Sequence, residues 1–188
     1  MSVHTETPFL TDIEEIRRRA RAHLAEGAVT PGYEGDVELA VKLLNEALAT
    51  EIVCVLRYTH HYVAAQGINS ESVRGEFLEH AQDEQRHAME LAERIDQLGG
   101  NPNFDPEGLL TRSASQYVEG SNLVEMLQED LVAERIAIHT YQEMIRYFAN
   151  RDPTTRRLLE RILANEEEHA GDMHDLLVRH QGKPMLDG

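Results

Sequence analysis

The sequence predicts an all-α protein: a four-helix bundle with one long crossover between its second and third helices, preceded by an extra N-terminal helix. Three observations carry this prediction. Four stretches of about 27 to 30 residues repeat apolar side chains at helical spacing between clear start and stop signals. The connection at 99–121 contains Pro102 and Pro106, has no helical period, and is far longer than its neighbours. Finally, the tetrad Glu-x-x-His occurs twice, as Glu84–His87 and Glu166–His169, at matching places in the two halves of the chain.

Taken in order, residues 1–35 are expected to form an N-terminal extension, 36–182 the bundle and 183–188 a tail. Thr11 and Glu14 resemble a capping box opening a short helix over 12–26, with Gly27 as its C-cap. A linker follows over 28–35, marked by Pro31, Gly32 and Gly35. Asp36 suits the N-cap of the first long helix, which runs to about Gln66 and is stopped by Gly67. Asn69 or Ser70 caps the second, which ends near Leu98 before Gly99 and Gly100. Asn122 and Glu125 open the third, ending near Ala149. Asp152 before Pro153 is a strong start signal for the fourth, since proline at the first helical position gives up no needed hydrogen bond. It runs to about His180, ahead of Gly182 and Pro184. Helices of this size are roughly 40–45 Å long. The crossover can reach roughly 75 Å when extended, enough to travel the bundle's length. The short connections imply antiparallel neighbours, so the topology is hairpin, crossover, hairpin.

At 188 residues the chain is most economically one domain. Its single cysteine, Cys54, allows no internal disulfide and suits a reducing cytoplasm. Residues 1–10 carry neither a basic nor an apolar signal region, and no apolar run is long enough to span a membrane, so a soluble cytoplasmic protein is expected. The formal net charge is −16, and only Lys42 and Lys183 are lysines. Such a field attracts metal cations and repels phosphate, so DNA is not an expected partner. The basic cluster Arg17–Arg19 with Arg21 follows Asp12, Glu14 and Glu15 as a solvated helix face would.

With 24 Glu and 10 His, two tetrads are close to the roughly one expected by chance, so the context decides. Glu51 precedes the first tetrad by 33 residues and Glu134 precedes the second by 32. At an offset of 83, Leu44, Glu46, Leu48, Glu51 and Tyr58 fall on Leu127, Glu129, Leu131, Glu134 and Tyr141. At 82, Glu84, His87 and Ala88 fall on Glu166, His169 and Ala170. A duplicated helical hairpin explains both offsets. Glu51 lies on an apolar stripe with Leu44, Leu48, Val55 and Tyr58; Glu134 does so with Leu127, Leu131, Ile138 and Tyr141. A carboxylate on a core-facing stripe requires a cation, and the six residues Glu51, Glu84, His87, Glu134, Glu166 and His169 make a donor set suited to two iron or manganese ions. Asp83 and Asn165 are candidates to accept hydrogen bonds from the outer nitrogens of the histidines. Glu129, Glu143, Glu160, Glu167 and Glu168 are expected in solvent, as are His60, His61, His139 and His174, while Cys54 is read as a small buried side chain rather than a thiolate ligand.

Over 37–178 the arrangement resembles the bacterioferritins and related ferritin-like di-iron proteins. The resemblance implies terminal carboxylates at Glu51 and Glu134, bridging carboxylates at Glu84 and Glu166, and one histidine ligand per metal from His87 and His169. It places Tyr58 near the ferroxidase centre as a candidate electron donor. The implied cofactor is two Fe ions per subunit, with Mn or Zn as possible substitutes. Gln85 stands where haem-binding members carry methionine, so haem is not expected. Only a few residues follow the fourth helix, too few for the fifth helix of 24-subunit shells, and the N-terminal helix is additional. These departures favour a Dps-like homo-oligomer, a dodecamer rather than a 24-mer, with a bacterioferritin-type site. The implied function is ferroxidase activity with iron storage and detoxification: Fe(II) oxidised by O2 or H2O2, with ferric mineral held in a cage. The alternative is a di-metal enzyme without a cage, such as a manganese catalase or a di-iron hydroxylase.

Overall fold

The structure, a computed structural model, describes residues 12–22, 24–66 and 70–181. Thr11, Gly67, Asn69 and Gly182, together with the tail at 183–188, lie outside the described residues, and so do the roles expected of them. The described chain is helical, with α1 at Ile13–Ala20, α2 at Val37–Ala64, α3 at Ser70–Gln97, α4 at Leu109–Arg112, α5 at Leu123–Phe148 and α6 at Pro153–Gln181. No strand occurs among the described residues. The long helices α2, α3, α5 and α6 form the bundle, α2 packing along α3 and α5 along α6 as two hairpins.

Three of the long helices start where side-chain chemistry places them. Asp36 accepts from the Leu39 amide at 3.0 Å, Asn122 from the Glu125 amide at 3.1 Å, and Asp152 from the Thr155 amide at 2.9 Å. Each satisfies an amide that the first turn would otherwise leave unpaired. Asp152 also accepts from Arg94 on α3 and Tyr33 in the linker, which ties one end of the bundle together.

The first helix is shorter than the sequence predicts. Asp12 caps it through the Glu14 amide at 2.7 Å, and it stops at Ala20, followed by a 3-10 turn at Leu24–Glu26. None of its residues is buried, and a short helix without a packed face has little to prolong it.

The core is divided into two apolar layers. One contains Leu44, Leu48, Leu91, Ile95, Tyr141, Phe148, Leu159 and Ile162. The other contains Tyr58, Val73, Phe77, Leu127, Met173 and Leu176. On each of the four long helices the chain passes from one layer to the other through a buried charged or imidazole position: Glu51 on α2, Glu84 and His87 on α3, Glu134 on α5, and Glu166 and His169 on α6. The acidic layer is thus sealed above and below by hydrocarbon.

The crossover runs parallel to α2 and is pinned to it by polar side chains. Asn45 donates to Asn101 O at 3.2 Å and accepts from the Asn103 amide at 2.7 Å. Thr50 Oγ1 accepts from the Ala114 amide at 3.0 Å. Arg57 donates to Ser115 Oγ and Gln116 O, and His61 Nε2 reaches Val118 O at 3.2 Å. Arg57 and His61 also hold Asp130 of α5, at 2.8 and 2.7 Å. This corrects the expectation for His61, which is fully buried: it leaves the ligand stripe only to face the crossover. His139 and His174 are exposed as expected, and His60 is half-buried. The crossover also holds a turn of helix not foreseen, α4, entered through Gly108 at φ 70°, a backbone angle that disfavours side chains.

Candidate metal centre

All six residues predicted from the doubled motif meet between the apolar layers, each 3% exposed or less. Glu51, Glu84, His87 and Glu166 bring one donor atom each within 4.8 Å of one another, and so do Glu84, Glu134, Glu166 and His169. Glu84 and Glu166 belong to both groups. Their oxygens divide accordingly. His87 Nδ1 lies 3.4 Å from Glu84 Oε2 and 2.9 Å from Glu166 Oε1. His169 Nδ1 lies 3.6 Å from Glu84 Oε1 and 3.8 Å from Glu166 Oε2. Each central carboxylate therefore turns one oxygen toward each imidazole, the geometry of a bridging ligand.

The inner atoms converge without pairing. Glu51 Oε2, both oxygens of Glu84, Glu134 Oε2, Glu166 Oε1 and the Nδ1 atoms of His87 and His169 are buried and make no hydrogen bond. Leaving one such atom unsatisfied costs about 1–3 kcal/mol, and seven facing one another would be untenable unless cations share them. The donor set therefore fits a pair of first-row divalent ions bound by carboxylate and imidazole.

The outer atoms, by contrast, are held. His87 Nε2 faces Asn165 Oδ1 and His169 Nε2 faces Asp83 Oδ2, each at 3.4 Å. Both contacts cross between the hairpins, as anticipated for Asp83 and Asn165, and they leave Nδ1 of each ring for the centre. Tyr58 Oη donates to Glu134 Oε1, and Tyr141 Oη donates to Glu51 Oε1, so each hairpin's tyrosine orients the other's outer carboxylate. Sequence reasoning singled out Tyr58 but gave Tyr141 no role, although the 83-residue offset equates the two.

Burial, and then repulsion from Glu84, raises the carboxyl of Glu51 well above its usual range and that of Glu134 to about 7. The same two causes raise Glu166. Burial would lower the histidines, but the carboxylates facing them outweigh it, holding His87 up at about 10 and His169 at about 9. Without metal, the centre therefore retains protons that cations would displace.

A third imidazole, His80, stands beside the centre, and the doubled motif does not point to it. It stands at i−4 from Glu84, the same face one turn earlier, and that spacing could have revealed it. Its ring stacks on His169 with centroids 3.9 Å apart, and its Nδ1 lies 3.3 Å from Tyr58 Oη. Burial and the neighbouring His169 push its pKa down to about 3. Cys54 is buried beside Arg57, with burial raising its thiol well above the usual range, so it behaves as the small buried side chain expected. Glu143, Glu160, Glu167 and Glu168 are exposed, while Glu129 is half-buried.

Comparison with known proteins adds an independent line. The model of the ferritin-like domain matches residues 41–181. The DNA protection during starvation protein of Pyrococcus furiosus is 34% identical over 153 residues, covering 79% of this chain and 80% of that one. A dodecameric thioferritin, the bacterioferritin-related protein of Bacteroides fragilis, superposes with a TM-score of 0.76 at 33% identity, over 79% of this chain and 89% of its own. The bacterioferritin of Desulfovibrio desulfuricans, known with its diiron site in different catalytic states, gives a TM-score of 0.69 at 25% identity, over 79% and 85% of the two chains.

Proposed function

The chain belongs to the ferritin-like domain family, and from that premise we propose that it is a ferroxidase that stores iron, oxidising Fe(II) with O2 or H2O2 and holding the ferric product in a homo-oligomeric cage. The observation that carries this reading is the set of buried, unpaired donor atoms shared between two groups of ligands. Glu84 and Glu166 would bridge two ferrous ions, Glu51 and Glu134 would close the outer positions, and His87 and His169 would bind one ion each through Nδ1. Iron supplies the electrons; the protein supplies position, charge and protons. Four carboxylates favour Fe(III) over Fe(II), which draws the substrate toward oxidation. Tyr58 and Tyr141 fix the outer carboxylates, and Tyr58 touches a ligand directly, where a donor of electrons to the centre would stand. Asp83 and Asn165 would accept from the outer nitrogens of the histidines and turn the inner ones toward the ions. Mn(II) or Zn(II) would occupy the same donors, Zn(II) without any redox step, and no haem is expected to take part.

The surroundings favour storage over an organic substrate. The cavity that reaches His169 has a volume of about 130 Å³ and is lined by carboxylates and imidazoles, which suits ions in transit rather than an apolar molecule. Leu56 and Val63 on α2 and Val132 on α5 are exposed apolar side chains available to subunit contacts, and a dodecamer is the assembly we expect. The net charge of −16 opposes direct contact with DNA. No helix among the described residues is long and apolar enough to cross a membrane, and we place the protein in the cytoplasm. Anaerobic loading with Fe(II) followed by O2 or H2O2 tests the function. A ferric core inside a particle of dodecamer mass is expected. Folded protein that takes up two ions per chain yet forms no ferric product would overturn the storage reading.

A further inference from the structure

We infer that Asp83 and Asn165 make the two halves of the paired centre unequal. The half built on His169 takes the first metal ion and holds it more tightly than the half built on His87. The inference rests on the paired-ligand reading above and concerns residues that bind no ion themselves.

The duplication supplies the comparison. At the 82-residue offset Glu84 and His87 fall on Glu166 and His169, so the inner ligands match and any difference between the halves lies outside them. The residues just before the two tetrads do not match, since Asp83 falls on Asn165. Each reaches across to the other hairpin's histidine. Asp83 Oδ2 faces His169 Nε2, and Asn165 Oδ1 faces His87 Nε2, both at 3.4 Å. The two contacts share a geometry and differ in charge. A carboxylate behind a metal-bound imidazole makes the ring a stronger donor than a neutral amide does. Arg86 holds the other oxygen of Asp83 at 2.7 Å, which fixes Oδ2 toward the ring. The Arg86 side chain is 49% exposed, so water screens its charge.

The surroundings repeat the inequality. Glu76, Glu79, His80, Asp83, Glu168 and Asp172 line the cavity beside His169, and all but His80 are carboxylates. Their counterparts at the same offset are Leu158, Arg161, Ile162, Asn165, Arg86 and Glu90, one carboxylate against two arginines. Arg161 closes on Glu90 at 2.7 Å and Ile162 is fully buried, so a neutral pair and hydrocarbon stand where the other half presents acidic side chains. Clustered negative charge favours a divalent cation at the inner end of the cavity, where His169 lies. Arg57, whose charge reaches Glu134, is met by Asp130 at 2.8 Å and does not reverse the balance.

Ordered loading gives the centre a threshold. One ion occupies the His169 half while the other half is empty, and the pair forms only once Fe(II) is abundant enough to fill the second.

The test uses metal-free, full-length protein crystallised with half an equivalent of Co(II) per chain, comparing the anomalous peaks beside His169 Nδ1 and His87 Nδ1. Changing the partner behind a metal-bound histidine alters affinity about 10–100-fold, so the His169 peak should exceed the His87 peak by at least about tenfold in wild type. The exchange Asp83→Asn/Asn165→Asp should lower that ratio by at least about tenfold. Asn165→Asp alone, which keeps the Asp83–Arg86 pair, should narrow the gap from the other side. Equal peaks in wild type, or a ratio that neither variant changes, would overturn the inference. No Co(II) at either histidine under saturating Co(II) would instead overturn the paired centre, so the two failures are distinguishable.

Discussion

Replacing Glu166 with glutamine should make the metal-free protein more stable and the metal-loaded protein less so. Glu166 is 1% exposed, its Oε1 makes no hydrogen bond, and burial together with Glu84, Glu51 and Glu134 drives its carboxyl toward the protonated form. Glutamine keeps the shape and removes the charge. Relief of one such buried group is worth about 1–3 kcal/mol. At this chain length each kcal/mol moves Tm by about 2–4 °C, so metal-free Glu166→Gln should melt about 2–12 °C above wild type. Zinc acts in the opposite direction. At about 100 times Kd one bound ion stabilises by about 2.7 kcal/mol, so a filled pair adds about 5 kcal/mol, or roughly 10–20 °C. Glu166 offers an oxygen to each of the two ligand groups, so the variant should lose most of that gain. Thermal unfolding of both proteins at pH 8, with EDTA and then with Zn(II), measures all four values. Should metal-free Glu166→Gln melt below metal-free wild type while zinc shifts both equally, the account of the centre as a set of unpaired donors is wrong.

The metal-free protein should lose stability as pH rises. Glu134 and the two histidines bind protons more tightly folded than unfolded, so their contribution is complete below the unfolded pKa values and fades as pH passes through about 7, 9 and 10 for Glu134, His169 and His87. Tm with EDTA is expected to be lower at pH 8.5 than at pH 6, and Zn(II) affinity by calorimetry should strengthen over the same interval. Arg57→Met should cost about 3–5 kcal/mol, because it strands the buried Asp130 carboxylate, and Arg57→Met/Asp130→Leu should recover much of that in urea denaturation. Tyr58→Phe and Tyr141→Phe each remove a hydrogen bond to a buried carboxylate, worth about 1.5–3 kcal/mol. Each should slow Fe(II) oxidation in stopped-flow absorbance. A much larger loss of rate in Tyr58→Phe than in Tyr141→Phe would mark Tyr58 as an electron donor rather than a clamp.

The six candidate ligands are legible because duplication writes them twice, and because a glutamate between leucines on one helical stripe has few other reasons to be there. The starts of α2, α5 and α6 were legible from Asp36, Asn122 and Asp152, whose chemistry acts over three residues. What escaped notice depends on partners remote in sequence. Arg57 and Asp130 are 73 positions apart, and helical periodicity says which face a residue occupies without saying what covers that face. Off the ligand stripe, His61 reads as a solvent-facing position, yet the crossover lies over it. A signal was nevertheless present. At the 83-residue offset Ala47, Arg57 and His61 correspond to Asp130, Thr140 and Met144, so the two halves differ in polarity where the strap demands it. The first helix was overextended because charge pairs such as Glu15 with Arg18 and Arg19 support a helix locally without giving it anything to pack against.

The strap also gives the centre a direction. A bundle made from two equal hairpins would admit ions equally from either flank, but the crossover occupies one of them, fastened across α2 and α5 by Asn45, Thr50, Arg57, His61 and Asp130. The flank between α3 and α6 carries no such cover, and there the acidic cavity opens beside His169. Under the proposed function, ions would enter from that flank, where the cavity lined by His169 lies. In the proposed cage, whichever way α3 and α6 face would decide whether Fe(II) reaches the centre from the surrounding medium or from within.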